Sequence, residues 1–140
     1  MLNQQLTAGR AYQTVQFTTA SGPHMVLMFY EGALKFAGLA KRHTSHGNLR
    51  EAYKFRGKLL NVLSELMRSL VLEKGREEVN SFFFLYDYMS KVVRETMIEQ
   101  QDASGFDEVL RIMGELRNSW KEMLASNKVA NHPDLVLARR

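Results

Sequence analysis

The chain has 140 residues, 45% of them hydrophobic, a net charge of +4 and no cysteine. That length makes one domain with enough apolar surface for its own core. The lack of thiols excludes a disulfide framework, a thiolate nucleophile and a zinc–thiolate centre, and is compatible with a reducing compartment. The opening MLNQQLTAGRAYQ lacks the charged and then continuously apolar order of a secretory signal, so a cytoplasmic protein is expected. Only two prolines occur, and no stretch alternates apolar and polar residues long enough for a convincing strand, which predicts an all-α fold.

Residues 1–20 read as a polar N-terminal arm with one short helical turn, docked through Tyr12 and Phe17. Ser21 fits the N-cap of a first long helix, and Pro23 is tolerated in its first turn, where the amides have no helical acceptor. From Ser21 to Ala40 the apolar residues do not keep to one face. Met25, Phe29, Gly32, Phe36 and Leu39 form one stripe, Val26, Tyr30, Ala33 and Ala37 a second, and Leu27 and Leu34 a third side. Pro23, His24, Glu31 and Lys35 leave it short of the ~18 uninterrupted apolar residues of a membrane span. The helix is expected to fail between His43 and Gly47.

Asn48 then caps a second helix, with Glu51 completing a capping box and Gly75 as terminator. A third helix is predicted from Glu77 to Gln101. A fourth opens on the Ser104/Asp107 capping-box spacing, carries the cleanest apolar stripe, Phe106 through Trp120 to Leu124, and ends near Asn127. Short connections make neighbouring helices antiparallel, so the expected architecture is an up-down-up-down four-helix bundle over residues 1–127, with 128–140 a loose tail.

The sequence offers little for catalysis or cofactors. No histidine has a glutamate three residues before it, as a carboxylate-bridged metal site in a bundle requires, and His43 and His46 fall at the end of the first helix with no carboxylate nearby. There is no phosphate-binding glycine loop and no His-Glu-x-x-His. The expectation is no enzyme, no metal and no cofactor. Between Glu31 and Lys58 the basic residues Lys35, Lys41, Arg42, Arg50, Lys54, Arg56 and Lys58 outnumber the acids. They spread round two helices without interleaved exposed aromatics, which favours a solvated face over a nucleic-acid surface; a basic nucleic-acid-binding helical protein is the alternative reading.

What exceeds the needs of a core is apolar surface. The first helix is apolar on most sides and the third on two, whereas a bundle asks each helix for about three sevenths of its circumference. Eight methionines add soft contacts suited to an irregular apolar chain. In the second helix Asn61, Glu65 and Ser69 follow at i, i+4 and i+8 beside Val62, Leu66 and Leu70. A polar line next to an apolar strip can bond a bound chain's backbone while the strip takes its side chains. Met28 and Tyr30 are expected to line the same groove, covered by Tyr12 and Phe17 when it is empty.

The order of these pieces resembles the FliS family of flagellar secretion chaperones. The likeness begins at Tyr12 and Thr19-Ala20-Ser21, continues through MVLMFYEGALKF, resumes at NVLSELMRSL (61–70) and LYDYM (85–89), and closes at LRNSW (116–120). Departures are Gly22 in place of a usual proline, Phe29 for a common leucine, Asn118 where an acid is common, and the bulky run Phe82 to Phe84. The resemblance implies an antiparallel helical bundle that binds the disordered C-terminal segment of flagellin, one to one, in the cytoplasm. It implies that this prevents premature polymerisation, that the cargo is presented to a component of the flagellar export gate, and that the N-terminal arm occupies part of the groove when it is empty. Self-association of the empty form is expected from its uncovered apolar surface; nucleic-acid binding and membrane insertion are not expected.

Overall fold

The computed structural model describes the backbone of residues 22–70 and 77–131 and the side chains of 22–70 and 81–126. Every regular element among them is helical: α1 Pro23–Ser45, α2 Leu49–Ser69, α3 Glu77–Arg94, a 3-10 turn Ile98–Gln100, and α4 Ser104–Asn131. Side-chain pairings set the directions. Gly32 faces Val62 while His43 stacks on Phe55, so α1 and α2 run antiparallel. Lys41 pairs with Asp107 at one end and Pro23 with Trp120 at the other, so α1 and α4 do too. Arg56 reaches the Thr96 carbonyl, and Phe82 meets Trp120, which places α3 antiparallel to both α2 and α4. The result is the expected four-helix bundle.

The helix ends differ from the sequence expectation for identifiable reasons. The cap of α1 is Gly22, in extended conformation, whose carbonyl takes the amides of Met25 and Val26; Pro23 follows at the first helical position. The end of α1, by contrast, falls inside the expected His43–Gly47 stretch. The helix runs to Ser45 and stops at Gly47, which has φ 73°. The Gly47 amide bonds the Thr44 carbonyl and the Asn48 amide the His43 carbonyl, the paired bonds of a Schellman ending, which require a left-handed residue where glycine stands. Asn48 occupies the N-cap of α2 without capping it, because its side chain turns back to His43 Nδ1 at 3.3 Å, and Glu51 pairs with Lys54 instead of closing a box.

The second helix ends at Ser69, well before Gly75, because Leu70 is extended; its 21 residues span about 31 Å. The third ends at Arg94, not Gln101. Thr96 turns its hydroxyl onto the Val92 carbonyl, Arg56 takes the Thr96 carbonyl, and the chain bends so that buried Ile98 plugs the bundle end while Met97 is exposed. Gly105 packs against this bend: a Cβ there would overlap the Thr96 hydroxyl and lie 3.1 Å from the Val92 carbonyl oxygen. At the start of α4 the side chain that caps is Asp102, accepting the Ser104 amide at 3.0 Å, while Asp107 is held by Lys41 at 2.7 Å, so the Ser104/Asp107 box does not form. Hydrogen bonds from the Ser104 hydroxyl and then its amide hold the Asp102 carboxyl below its usual value. The helix continues past Asn127 to Asn131.

Of the stripes on α1, the bundle buries Val26, Tyr30, Ala33, Ala37 and Ala40. Three alanines in that row let the flanking helices approach closely, and the larger Phe29 and Phe36 are left half-buried at the edge. Facing them are Leu59, Leu63 and Leu66 of α2, Phe82, Tyr86, Met89 and Val93 of α3, and the α4 stripe from Phe106 to Leu124. A fully buried leucine such as Leu63 stabilises the fold by about 1.5–3 kcal/mol.

Candidate functional site

The seam between α1 and α2 carries most of the residues singled out in the sequence. On α1 the stripe Met25, Phe29, Gly32, Phe36 lies on the side that faces α2; on α2 Phe55 and Val62 face back. Gly32 is the low point of the seam: a Cβ there would have Val62 Cγ2 at 4.0 Å, and the missing side chain leaves a shallow notch. Beside it Met28 is 63% exposed and Met25 44%, an unusual cost in solvated apolar surface for a single helical turn. Asn61 and Glu65 are exposed along the α2 rim, Glu65 holding Arg68 at 3.2 Å.

Three of the expected groove residues are placed otherwise. Tyr30 is 0% exposed in the core, its hydroxyl 2.6 Å from that of Tyr86 and its ring edge-on to Trp120, so it supports the seam from behind and does not line an open groove. Leu66 is buried with it. Ser69 is buried and donates to the Leu66 carbonyl at 2.9 Å, which removes it from the exposed polar line. The periodicity of α1 misleads here because two apolar stripes lie side by side and only the neighbours decide which one is covered. Tyr12 and Phe17 lie outside the described residues.

Halfway along the seam the chemistry changes. Phe36 and Phe55 stack with centroids 6.2 Å apart, and the His43 ring lies on Phe55 at 5.7 Å and 8°. Lys35 and Lys58 both reach the Phe36 ring, at 5.9 and 5.7 Å, and Lys54 the Phe55 ring at 5.2 Å. The sequence reading looked for exposed aromatics among these basic residues and passed over two half-buried ones: two Lys-Phe pairs, 35–36 and 54–55, stand on antiparallel helices and converge. That repeated dipeptide was the available signal.

His43 and His46 are occupied locally. Asn48 Nδ2 donates to His43 Nδ1, which leaves the proton of the neutral ring on Nε2, and His46 Nδ1 donates to the Arg42 carbonyl at 2.7 Å. Among the described residues no group of three or more His, Asp or Glu is arranged to hold a metal, and no helix is long and apolar enough to cross a membrane. On α3, diagonal to α1, Phe84 and Tyr88 stand one turn apart, 67% and 47% exposed, a second uncovered apolar strip.

Comparison with known proteins bears on this geometry. The sequence model of the family described as "Flagellar protein FliS" matches residues 4–127. The flagellar secretion chaperone FliS of Bacillus subtilis is 28% identical over 122 residues, covering 87% of this chain and 90% of the relative. That of Campylobacter jejuni is 25% identical over 127 residues, covering 91% of this chain and 98% of the relative.

Proposed function

The chain belongs to the FliS family of flagellar secretion chaperones, and on that premise we propose that it holds the disordered C-terminal segment of flagellin, one to one, along the α1/α2 seam. Held there in the cytoplasm, the segment is kept from polymerising until it is delivered to a component of the flagellar export gate. The observation that carries this reading is the exposed Met25 and Met28 beside the Gly32–Val62 notch, next to a rim bearing Asn61 and Glu65. Flexible methionines fit an irregular apolar chain, and the polar rim answers its backbone. A disordered ligand loses entropy on ordering and so needs a long apolar surface, which the α3 strip at Phe84 and Tyr88 extends if the ligand wraps round the bundle. Left empty, the same surface favours self-association.

A chaperone family does no bond chemistry, so the cargo is expected to leave unmodified and its binding to be indifferent to nucleotide or chelator. Calorimetry with a flagellin C-terminal peptide tests the reading. The expected result is a one-to-one isotherm that Met28→Glu and Val62→Glu weaken without loss of helicity. Unchanged binding in both variants would move the site off the seam. Deleting residues 1–17 tests the arm: faster or tighter binding with more self-association identifies Tyr12 and Phe17 as a cover, and weaker binding makes them part of the site.

A further inference from the structure

We infer that the Lys35–Phe36–Lys58 cluster is a subsite for carboxylates, which receives the acidic residues of a peptide whose apolar residues lie further along the seam. Contacts of a cation with an aromatic face occur about once in 70–80 residues, yet four fall between Lys35 and Lys58: Lys35 and Lys58 on Phe36, Lys54 on Phe55, and Arg56 on Tyr53. Within that group two cations differ from the rest. Lys54 has Glu51 and Arg56 has the Thr96 carbonyl, whereas Lys35 and Lys58 have no carboxylate in ion-pair reach among the described residues. They converge on one half-buried ring, and among the described residues no carboxylate stands between them to offset their mutual repulsion. A carboxylate arriving there is attracted by both and displaces no existing pair.

The same geometry argues against a nucleic acid. Phe36 and Phe55 stack on each other, His43 covers Phe55, and lysine ammoniums lie over both phenylalanine rings, so base stacking has to compete with contacts already made. Of the cations around the cluster, Lys41, Lys54 and Arg56 are already engaged, which leaves fewer to neutralise a phosphate backbone. The seam is therefore polarised: methionines and the Gly32 notch toward the start of α1, uncompensated lysines one turn and more beyond it. A peptide with its acids at one end is held in one direction.

This inference rests on the reading of the seam as a peptide site, and the test separates the two. Fluorescence anisotropy of the full chain compares two synthetic peptides sharing one Leu/Ala/Met-rich run, one ending in a cluster of glutamates and the other in glutamines. The glutamate peptide is expected to bind about fivefold tighter at low salt, an advantage that shrinks as salt screens it and disappears in Lys35→Gln/Lys58→Gln, with the glutamine peptide unchanged. In Lys35→Glu/Lys58→Glu the order of the two peptides should reverse. Equal binding of both peptides to the native chain, or an advantage that survives both double variants, overturns the subsite while leaving the seam. Binding of neither peptide overturns both. A single-stranded oligonucleotide that binds with steep salt dependence while the glutamate peptide shows no preference would overturn it in favour of a phosphate site.

Discussion

The hydroxyls of Tyr30 and Tyr86 lie 2.6 Å apart in the bundle interior, joining the diagonal helices α1 and α3 through side chains that are almost wholly buried. Their rings meet edge to face with centroids 6.3 Å apart, and Phe82 and Trp120 pack around them. Each hydroxyl is the partner that makes burial of the other tolerable. Tyr30→Phe or Tyr86→Phe alone strands one buried hydroxyl and should cost roughly 1–3 kcal/mol. The double variant should cost clearly less than the sum of the two, because it strands nothing. Urea unfolding of the four proteins measures this, and strictly additive losses would mean that the pair is not a unit.

The pair also sets an alkaline limit. Burial pushes both hydroxyls above the ordinary value of 10.0, for Tyr30 with the help of its neighbour. A group whose folded value is raised gives its full stabilisation below the unfolded value and loses it as pH rises, so stability should be level up to about pH 10 and fall above it. In a spectrophotometric titration these two tyrosines should ionise only together with the loss of helical circular dichroism. Their ionisation in a protein still fully helical would show that water reaches the centre of the bundle.

Two glycines are expected to resist substitution for different reasons. Gly47 has φ 73°, and a Cβ there would also meet Gln101 Nε2 at 2.6 Å. Gly47→Ala should therefore cost about 1–2 kcal/mol from the backbone conformation alone. At Gly105 the backbone is helical and the obstacle is the Thr96 hydroxyl and the Val92 carbonyl. Gly105→Ala should cost about 1–3 kcal/mol, and Thr96→Ser should not relieve it, since the obstructing oxygen stays. Thermal melts of these variants separate the two causes; a neutral Gly105→Ala would mean that the α3–α4 bend yields freely.

Buried hydroxyls without partners predict the opposite sign. Ser90 and Thr44 are buried and their side-chain oxygens have no hydrogen-bond partner among the described residues. Ser90→Ala removes a desolvated polar atom from α3, where alanine is also the better helix former, and should raise stability by about 0.5–1 kcal/mol. A measured loss would mean that the hydroxyl has a partner, such as a buried water.

The order and direction of the helices were legible because each apolar stripe has one period and the second and fourth helices have one dominant stripe. The α4 row from Phe106 to Leu124 needed nothing else. Helix ends were less legible because side chains at the caps had competing partners: Asn48 turned to His43, Asp107 to Lys41, and Thr96 to Val92, and a one-dimensional cap pattern contains none of those neighbours. The seam was half legible. Met28, Asn61, Val62 and Glu65 sit at or near its surface, but Tyr30, Leu66 and Ser69 are buried, because α1 is apolar on several sides and Leu66 continues the buried row of Leu59 and Leu63. The aromatic cluster at Phe36 and Phe55 was missed because it exists only when two distant Lys-Phe pairs are brought together.

Trp120, the sole tryptophan, fastens the two ends of the chain's described part to each other. Its ring lies edge-on to Tyr30 at 5.6 Å and to Phe82 at 6.0 Å, and its Nε1 donates to the Pro23 carbonyl at 2.9 Å, in the first turn of α1. Trp120→Ala removes the ring and should cost about 3–5 kcal/mol. Trp120→Phe keeps most of the apolar volume but releases the Pro23 carbonyl, so its smaller loss should appear as local opening at the start of α1, where Met25 and Met28 stand. Amide exchange should then rise selectively over the first turns of α1, with α2 and α3 unchanged. Equal acceleration across all four helices would show that the indole acts on the core as a whole and does not pin that end of the seam.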